Sequence, residues 1–372
     1  MNNSINKILM RQVLNSNLEF IMELEFVFGN FTIKSRVGQV VDDFEEQELF
    51  NQIKKDVIIY INRDEMSIQL SIYEQIKRFD DFIKSLLNGK VSKNLTLALS
   101  MNYFKYLMKF KRFIKKDMKV FIVMIGDELC LSCKDISISF YKPVKDQILL
   151  GVKFYKKLNE LLTEKNEKLY YSDLNTDKKK NLKLEKLTTI ECLDMLNDVA
   201  NQLNLNDLEV SLNVSANNFS KIINSEFIYS FDRYIFNTDE LIDYYVNLIE
   251  SYKGLIFSIK DPFNENDIRG WNKFFSLRKE IKIISGDLTK SDEKLIEKNK
   301  SLFDIVELKI NDFSDISTLV KLQKSNIEYM LTVTEDSFFI DFLFNSEIDL
   351  FKLKQPSGET VNQYNKFLRK IK

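Results

Sequence analysis

The sequence predicts an α/β protein: an N-terminal α+β domain over residues 1–117, followed over residues 118–372 by a ββαα(βα)6 barrel. Three observations predict it. Near the start, apolar side chains alternate with acidic ones, the period of a strand. Before residue 115 the spacing lengthens to that of amphipathic helices. Beyond residue 118, short apolar segments recur with helical stretches between them, at intervals of about 20–25 residues. Parallel strands need crossover helices, and repeated strand–helix units of this length close into a barrel.

In chain order, Leu18, Phe20, Met22, Leu24, Phe26 and Phe28 share one strand face, with Glu19, Glu23 and Glu25 on the other. Gly29-Asn30 is a hairpin turn, and Phe31, Ile33, Ser35 and Val37 continue a second strand. Residues 42–54 form a polar, acidic helical stretch. Tyr73, Ile76, Phe79, Ile83, Leu86 and Leu87 line one helix face that ends near Gly89, and a further helix is expected over 95–110. The expected barrel strands are 119–125, 136–141, 209–214, 255–259, 281–285, 304–310, 329–333 and 349–353. Helices at 146–164 and 186–203 flank a lysine-rich loop at 165–183. Helices at 239–251, 267–279, 290–300, 315–324, 336–345 and 358–370 alternate with the later strands.

Composition narrows the chemistry. The chain has 372 residues, 54 basic and 55 acidic, and its 44% apolar content supplies a substantial core. No domain-wide basic excess marks a nucleic-acid partner. Histidine is absent, which removes imidazole metal ligands, Ser-His and Cys-His pairs and any histidine pH switch. Glycines number only 9, few for phosphate-cradling loops. Cys130, Cys133 and Cys192 are too few for a four-ligand zinc site without imidazole and are read as buried, reduced thiols. Asn6, Lys7, Arg11 and Gln12 interrupt the first apolar stretch, so no secretory leader is expected. The longest apolar run, 120–125, is too short to span a bilayer. A cytoplasmic location and no membrane insertion follow as expectations.

A barrel of this kind carries its site at the C-terminal ends of its strands, where Asn213, Lys260, Gly286 with Asp287, Lys309, Thr334 and Lys352 stand. The segments around them resemble the enolase family. Residues 211–219 (SLNVSANNF) are similar to "ALDVAASEF", 258–263 (SIKDPF) to "SIEDPF", and 285–289 (SGDLT) to "GDDLT". Residues 306–311 (VELKIN) are similar to "LLLKVNQ", and 363–369 (QYNKFLR) to "KYNQLLR". An insertion containing 231–237 fits the same order. More weakly, 11–16 resembles "REIIDS" and 135–144 resembles "DIQEFMIQPV".

The resemblance implies an enolase-type barrel. It also implies a reaction in which a lysine removes a carbon-bound proton from 2-phosphoglycerate while Mg²⁺ stabilises the enediolate. Three acidic residues hold that metal in the family. Here the matching positions are Asn213, Lys260 and Gly286, so no metal site is expected; a shift of one residue would bring in Asp287 alone. The family's acid positions match Ile138 and Leu174, which carry no proton. The mobile-loop stretch Gly38-Gln39-Val40-Val41-Asp42-Asp43 lacks small hydroxyl residues, and after Thr332-Val333-Thr334 the phosphate-binding turn is absent. Lys309 is the relic of the base and Lys352 the relic of the carboxylate binder, and both are expected, with Lys260, to pair with Asp287, Glu307 or solvent.

Two readings result. The first is a catalytically degenerate enolase homologue, a pseudoenzyme with no cofactor. Its role is binding, assembly or structure, with a protein partner, as a homodimer or as a heterodimer with an intact enolase. The alternative is a divergent lyase acting on 2-phosphoglycerate or a related phosphorylated or carboxylated anion, with Mg²⁺ only in that case. There Lys260, Lys309 and Lys352 would form a cationic pocket.

Overall fold

The computed structural model describes residues 4–14, 19–39, 43–63, 70–88, 93–109, 117–165, 186–278, 280–323, 326–332, 340, 342 and 346–371. The expectations for Leu18, Val40, Leu174, Thr334 and most of the 165–183 and 336–345 segments lie outside them.

The N-terminal part is a three-stranded antiparallel meander, β1 (Ile5–Leu14), β2 (Phe20–Phe28) and β3 (Thr32–Gln39). Strand β1 was not expected, because its alternation is weak; only Ile5 and Ile8 are buried on it. On β2 Met22, Leu24, Phe26 and Phe28 are buried against the helices as expected, whereas Phe20 is exposed. The opposite face also buries Glu23 and Glu25. Their charges are met across the sheet by Arg11, Lys34 and Arg36, whose Nε donates to Glu23 Oε2 at 3.0 Å. Cross-strand pairing of opposite charges is the usual means of covering such a face.

Helices α1 (Asp43–Arg63) and α3 (Lys93–Lys109) pack on the meander, and α2 (Ile72–Leu87) packs against both helices. Ser71 and Glu74 form a capping box at the start of α2. Asn88, at φ 47°, takes the left-handed position that ends it, one residue before the glycine expected there.

The second part is a closed barrel of β4 (Lys119–Gly126), β5 (Asp135–Phe140), β6 (Leu208–Asn213), β10 (Ile256–Lys260), β11 (Lys282–Ser285), β12 (Ile305–Lys309), β13 (Glu328–Thr332) and β14 (Leu350–Leu353). Strand β5 is antiparallel to both β4 and β6, and the other pairs are parallel. Helices α4 (Val144–Lys165) and α5 (Thr189–Gln202) follow β5. Helices α6 (Thr238–Ser251), α7 (Ile268–Leu277), α8 (Glu293–Asn299), α9 (Ile316–Leu322) and α10 (Val361–Lys370) belong to the later units. The observed order is therefore the ββαα order that the spacing predicted. Helix α8 is shorter than expected, because Asp292 caps it only after a turn in which Lys290 and Ser291 have positive φ.

Phe121, Ile284, Ile305, Met330 and Leu350 form a small apolar cluster contributed entirely by barrel strands, apart from the main core. The insertion folds as a second antiparallel sheet, β7 (Ser220–Ile223), β8 (Glu226–Phe231) and β9 (Tyr234–Asn237), which was not read as strands in advance. Cys130, Cys133 and Cys192 are free thiols, all buried. No described helix is long and apolar enough to cross a membrane.

Candidate functional site: the barrel mouth

Asn213, Lys260, Lys309 and Lys352 are the last or next-to-last residues of their strands, and register brings them together. Lys260 lies beside Asn213 in the β6–β10 pair. A register shift between Ile256 and Ser258 changes which side chains face inward: Phe257 packs on Phe121, while Ser258 and Lys260 reach toward Ser211 and Asn213.

Lys260 is 4% exposed. Its ammonium stands 2.9 Å from Glu307 Oε2 and 3.2 Å from Asp261 Oδ2, and donates to Asn213 Oδ1 at 3.2 Å. Thr332 Oγ1 donates to the second Glu307 oxygen at 2.6 Å. The N–H groups of Gly286 and Asp287 donate to Asp261 Oδ1 at 2.8 and 3.0 Å. Asp261 itself has φ 45°, a conformation that aspartate tolerates better than most side chains. Asn213 also accepts from Ser215 Oγ at 3.0 Å and donates through Nδ2 to Asp135 Oδ2 at 2.6 Å. Asp135 in turn pairs with Lys352, 2.5 Å away and buried.

Burial opposes the charge on Lys260, but Glu307 and Asp261 outweigh it and hold its pKa above that of an ordinary lysine. Burial likewise opposes the Glu307 carboxylate, and Lys260, Lys352 and Lys309 overcome it, so its pKa lies below the usual glutamate range. Both groups are ionised at neutral pH.

Glu307 is a partner of Lys260 and Lys309, as expected, and the remaining contacts correct the expected pairing. Asp287 meets Asn217 Nδ2 at 3.4 Å, while Lys260 takes Asp261 and Glu307, and Lys352 takes Asp135. Carboxylates pair with the buried Lys260 and Lys352, so these two add no free positive charge to the cationic pocket of the alternative reading. Lys309 is the one that keeps contact with solvent: its side chain is 40% exposed, with Glu307 at 3.9 Å. Ile138 is fully buried in the main apolar core. Asp135 was missed because only strand ends were considered. Strand β5 runs antiparallel, so its beginning, not its end, reaches the mouth; the expected β4–β5 succession already carried that signal.

The Mg²⁺ that the resemblance implies does not fit these residues. An ammonium already occupies the point on which Asn213, Asp261 and Glu307 converge. A Cβ added to Gly286 would lie 2.6 Å from Lys260 Cε and 2.8 Å from Asp261 Oδ2, so a third carboxylate cannot be accommodated beside this lysine. Among the described residues no group of three or more His, Cys, Asp or Glu side chains is arranged to hold a metal ion.

The family model described as "Enolase, C-terminal TIM barrel domain" matches residues 125–369. The chain is 27% identical over 235 residues to the enolase of Sulfolobus acidocaldarius, covering 60% of this chain and 54% of that protein. It is 30% identical over 228 residues to the enolase of Sulfurisphaera tokodaii, covering 58% and 52%. To Enolase 2 of Lactobacillus johnsonii it is 26% identical over 174 residues, covering 44% and 40%. The matches to these first two enolases thus span about half of those relatives' length. A matching family model over most of the sequence, laid on a closed barrel whose second strand is antiparallel, places this chain in the enolase family.

Proposed function

We propose that this chain is a catalytically degenerate member of the enolase family whose barrel serves binding or assembly. The observation that carries this reading is the Lys260 ammonium, locked among Asn213, Asp261 and Glu307 where the resemblance calls for a divalent cation. An enediolate formed there would lack its principal electrostatic partner, and removing one such group commonly lowers rates by about 10²–10³. Ile138 at an acid position compounds the loss. The partner such a role calls for is a second copy of the chain or an intact enolase.

The test is phosphoenolpyruvate formation from 2-phosphoglycerate with excess MgCl2. No turnover above buffer is expected. Turnover within about a hundredfold of an intact enolase, the cost of a single missing stabilising group, overturns the reading. Light scattering of the chain alone and mixed with an intact enolase tests assembly; a monomer in both samples removes that half of the proposal. The half-exposed Lys309 favours a second reading, a divergent lyase on a phosphorylated or carboxylated anion. A Lys309-dependent activity on such anions would establish it.

A further inference from the structure

Three oxygens from three strand ends converge on one buried point. Asn213 Oδ1 follows from β6, Asp261 Oδ2 from the residue after β10, and Glu307 Oε2 from β12, at 3.2, 3.2 and 2.9 Å from the Lys260 nitrogen. Each is held by something other than the lysine. Asp261 is fixed through its other oxygen by two backbone N–H groups, Glu307 through its other oxygen by Thr332, and Asn213 by Asp135 and Ser215. Apart from lysine ammonium groups, the two inward, buried carboxylate oxygens have no hydrogen-bond partner, so lysine charge balances them. This is a preorganised set of hard oxygen donors with a cation at its centre, and the cation is covalently attached.

We infer that Lys260 is a tethered cation that makes the barrel mouth independent of divalent metal, and that the oxygens around it form a latent divalent-cation site which opens only when the ammonium is removed. Gly286 supports the assignment: its missing side chain is the space through which the lysine's last methylene passes. The donor set is all oxygen, which suits hard divalent ions over zinc or copper. The spacing is wider than the about 2.0–2.1 Å that Mg²⁺ demands and nearer the about 2.3–2.6 Å of Ca²⁺. Mn²⁺, which takes the same hard oxygen donors, is the probe because its free ion is read directly by paramagnetic resonance. The inference concerns how the mouth is neutralised and holds whether or not the chain catalyses a reaction.

The experiment uses the full chain and Lys260→Met, each with MnCl2 or EDTA, reading thermal unfolding and free Mn²⁺ by electron paramagnetic resonance. The wild-type midpoint is expected to be the same in both conditions, with no Mn²⁺ taken up. Lys260→Met in EDTA is expected to fall by about 5–10 °C, because two buried carboxylates lose their counter-charge. MnCl2 is expected to return part of that loss with about one ion bound per chain, as mass action requires of a ligand held only by the folded state. Adding Glu307→Gln to Lys260→Met is expected to abolish the uptake. A variant that folds only with MnCl2 supports the inference equally. Uptake by the wild type that Glu307→Gln removes overturns it. So does a Lys260→Met protein that matches the wild type, ignores MnCl2, or folds in neither condition.

Discussion

The barrel mouth and the junction between α2 and α9 both bury carboxylates, and they settle the charge in opposite ways. At the mouth, Asp261 and Glu307 face the Lys260 ammonium at 3.2 and 2.9 Å. At the junction, Asp80 on α2 is wholly buried and accepts the Ser317 N–H of α9 at 3.0 Å, while Ile316 N donates to Ser100 Oγ of α3. The lysine nearby, Lys84, pairs with Asp315 at 2.9 Å. Burial therefore pushes the Asp80 carboxyl up to about 7, with Asp315 adding to the rise and the Ser100 and Ser317 bonds only partly offsetting it. At the mouth three lysines hold the Glu307 carboxyl below its usual range, although burial still raises Asp261; at the junction, where Asp315 engages Lys84, burial raises Asp80.

The largest effect that would break this contrast is at Glu307. Glu307→Gln leaves three neighbouring lysines short of a counter-charge and is expected to cost about 3–5 kcal/mol in denaturant unfolding. A loss below about 1 kcal/mol would mean the mouth is held by packing alone.

Next comes pH. The Asp80 pKa is raised on folding, so its contribution is full below the unfolded value near 3.8 and is lost as pH rises toward about 7. Glu307 is lowered on folding, so its contribution is present above 4.5 and lost only at strongly acid pH. Asp80→Asn should thus gain on the wild type by a few kcal/mol between about pH 4 and 7, and then hold level. Paired denaturation curves across that range check it, and parallel stabilities would remove the junction from the comparison.

A smaller effect is expected of Gly286→Ala, whose new methyl meets the Lys260 stem and should cost about 1–3 kcal/mol. In a Lys260→Ala background that cost should fall, leaving the part due to the Asp261 carboxylate, which the new methyl also meets. The double-mutant cycle measures how far the glycine exists for the lysine.

The smallest belongs outside both regions. Thr188→Ala removes the capping box of α5 and should cost about 1 kcal/mol at neutral pH, with a change in pH dependence confined to the acid range where Glu191, held below its usual range by its bonds to Thr188, takes up a proton. A loss that varies between about pH 5 and 7, above the carboxylate range of Glu191, would show that the two regions are not separable.

Much of the fold was legible because its signals are local. The β2 alternation, the α2 face and the spacing of the barrel units depend on residues a few positions apart, and the barrel order followed from them. Strand β1 was less legible, since its burial rests on Ile5 and Ile8, and its place beside β2 is marked by Arg11 facing Glu23 and Glu25, a pairing visible only once the strands are aligned. Lys260, Lys309 and Lys352 were legible as strand ends. Asp135 was not, because its position at the mouth depends on strand direction.

The amino-acid sequence by itself determined a ββαα(βα)6 barrel of the enolase family and put amide, lysine and glycine at Asn213, Lys260 and Gly286, where carboxylates are expected. Only the tertiary structure decided what that lysine does. Coulombic attraction depends on separation and burial, which are set when barrel closure brings the ends of β6, β10 and β12 together. Composition can count an ammonium, but the closed barrel alone places it within 3.2 Å of three buried oxygens.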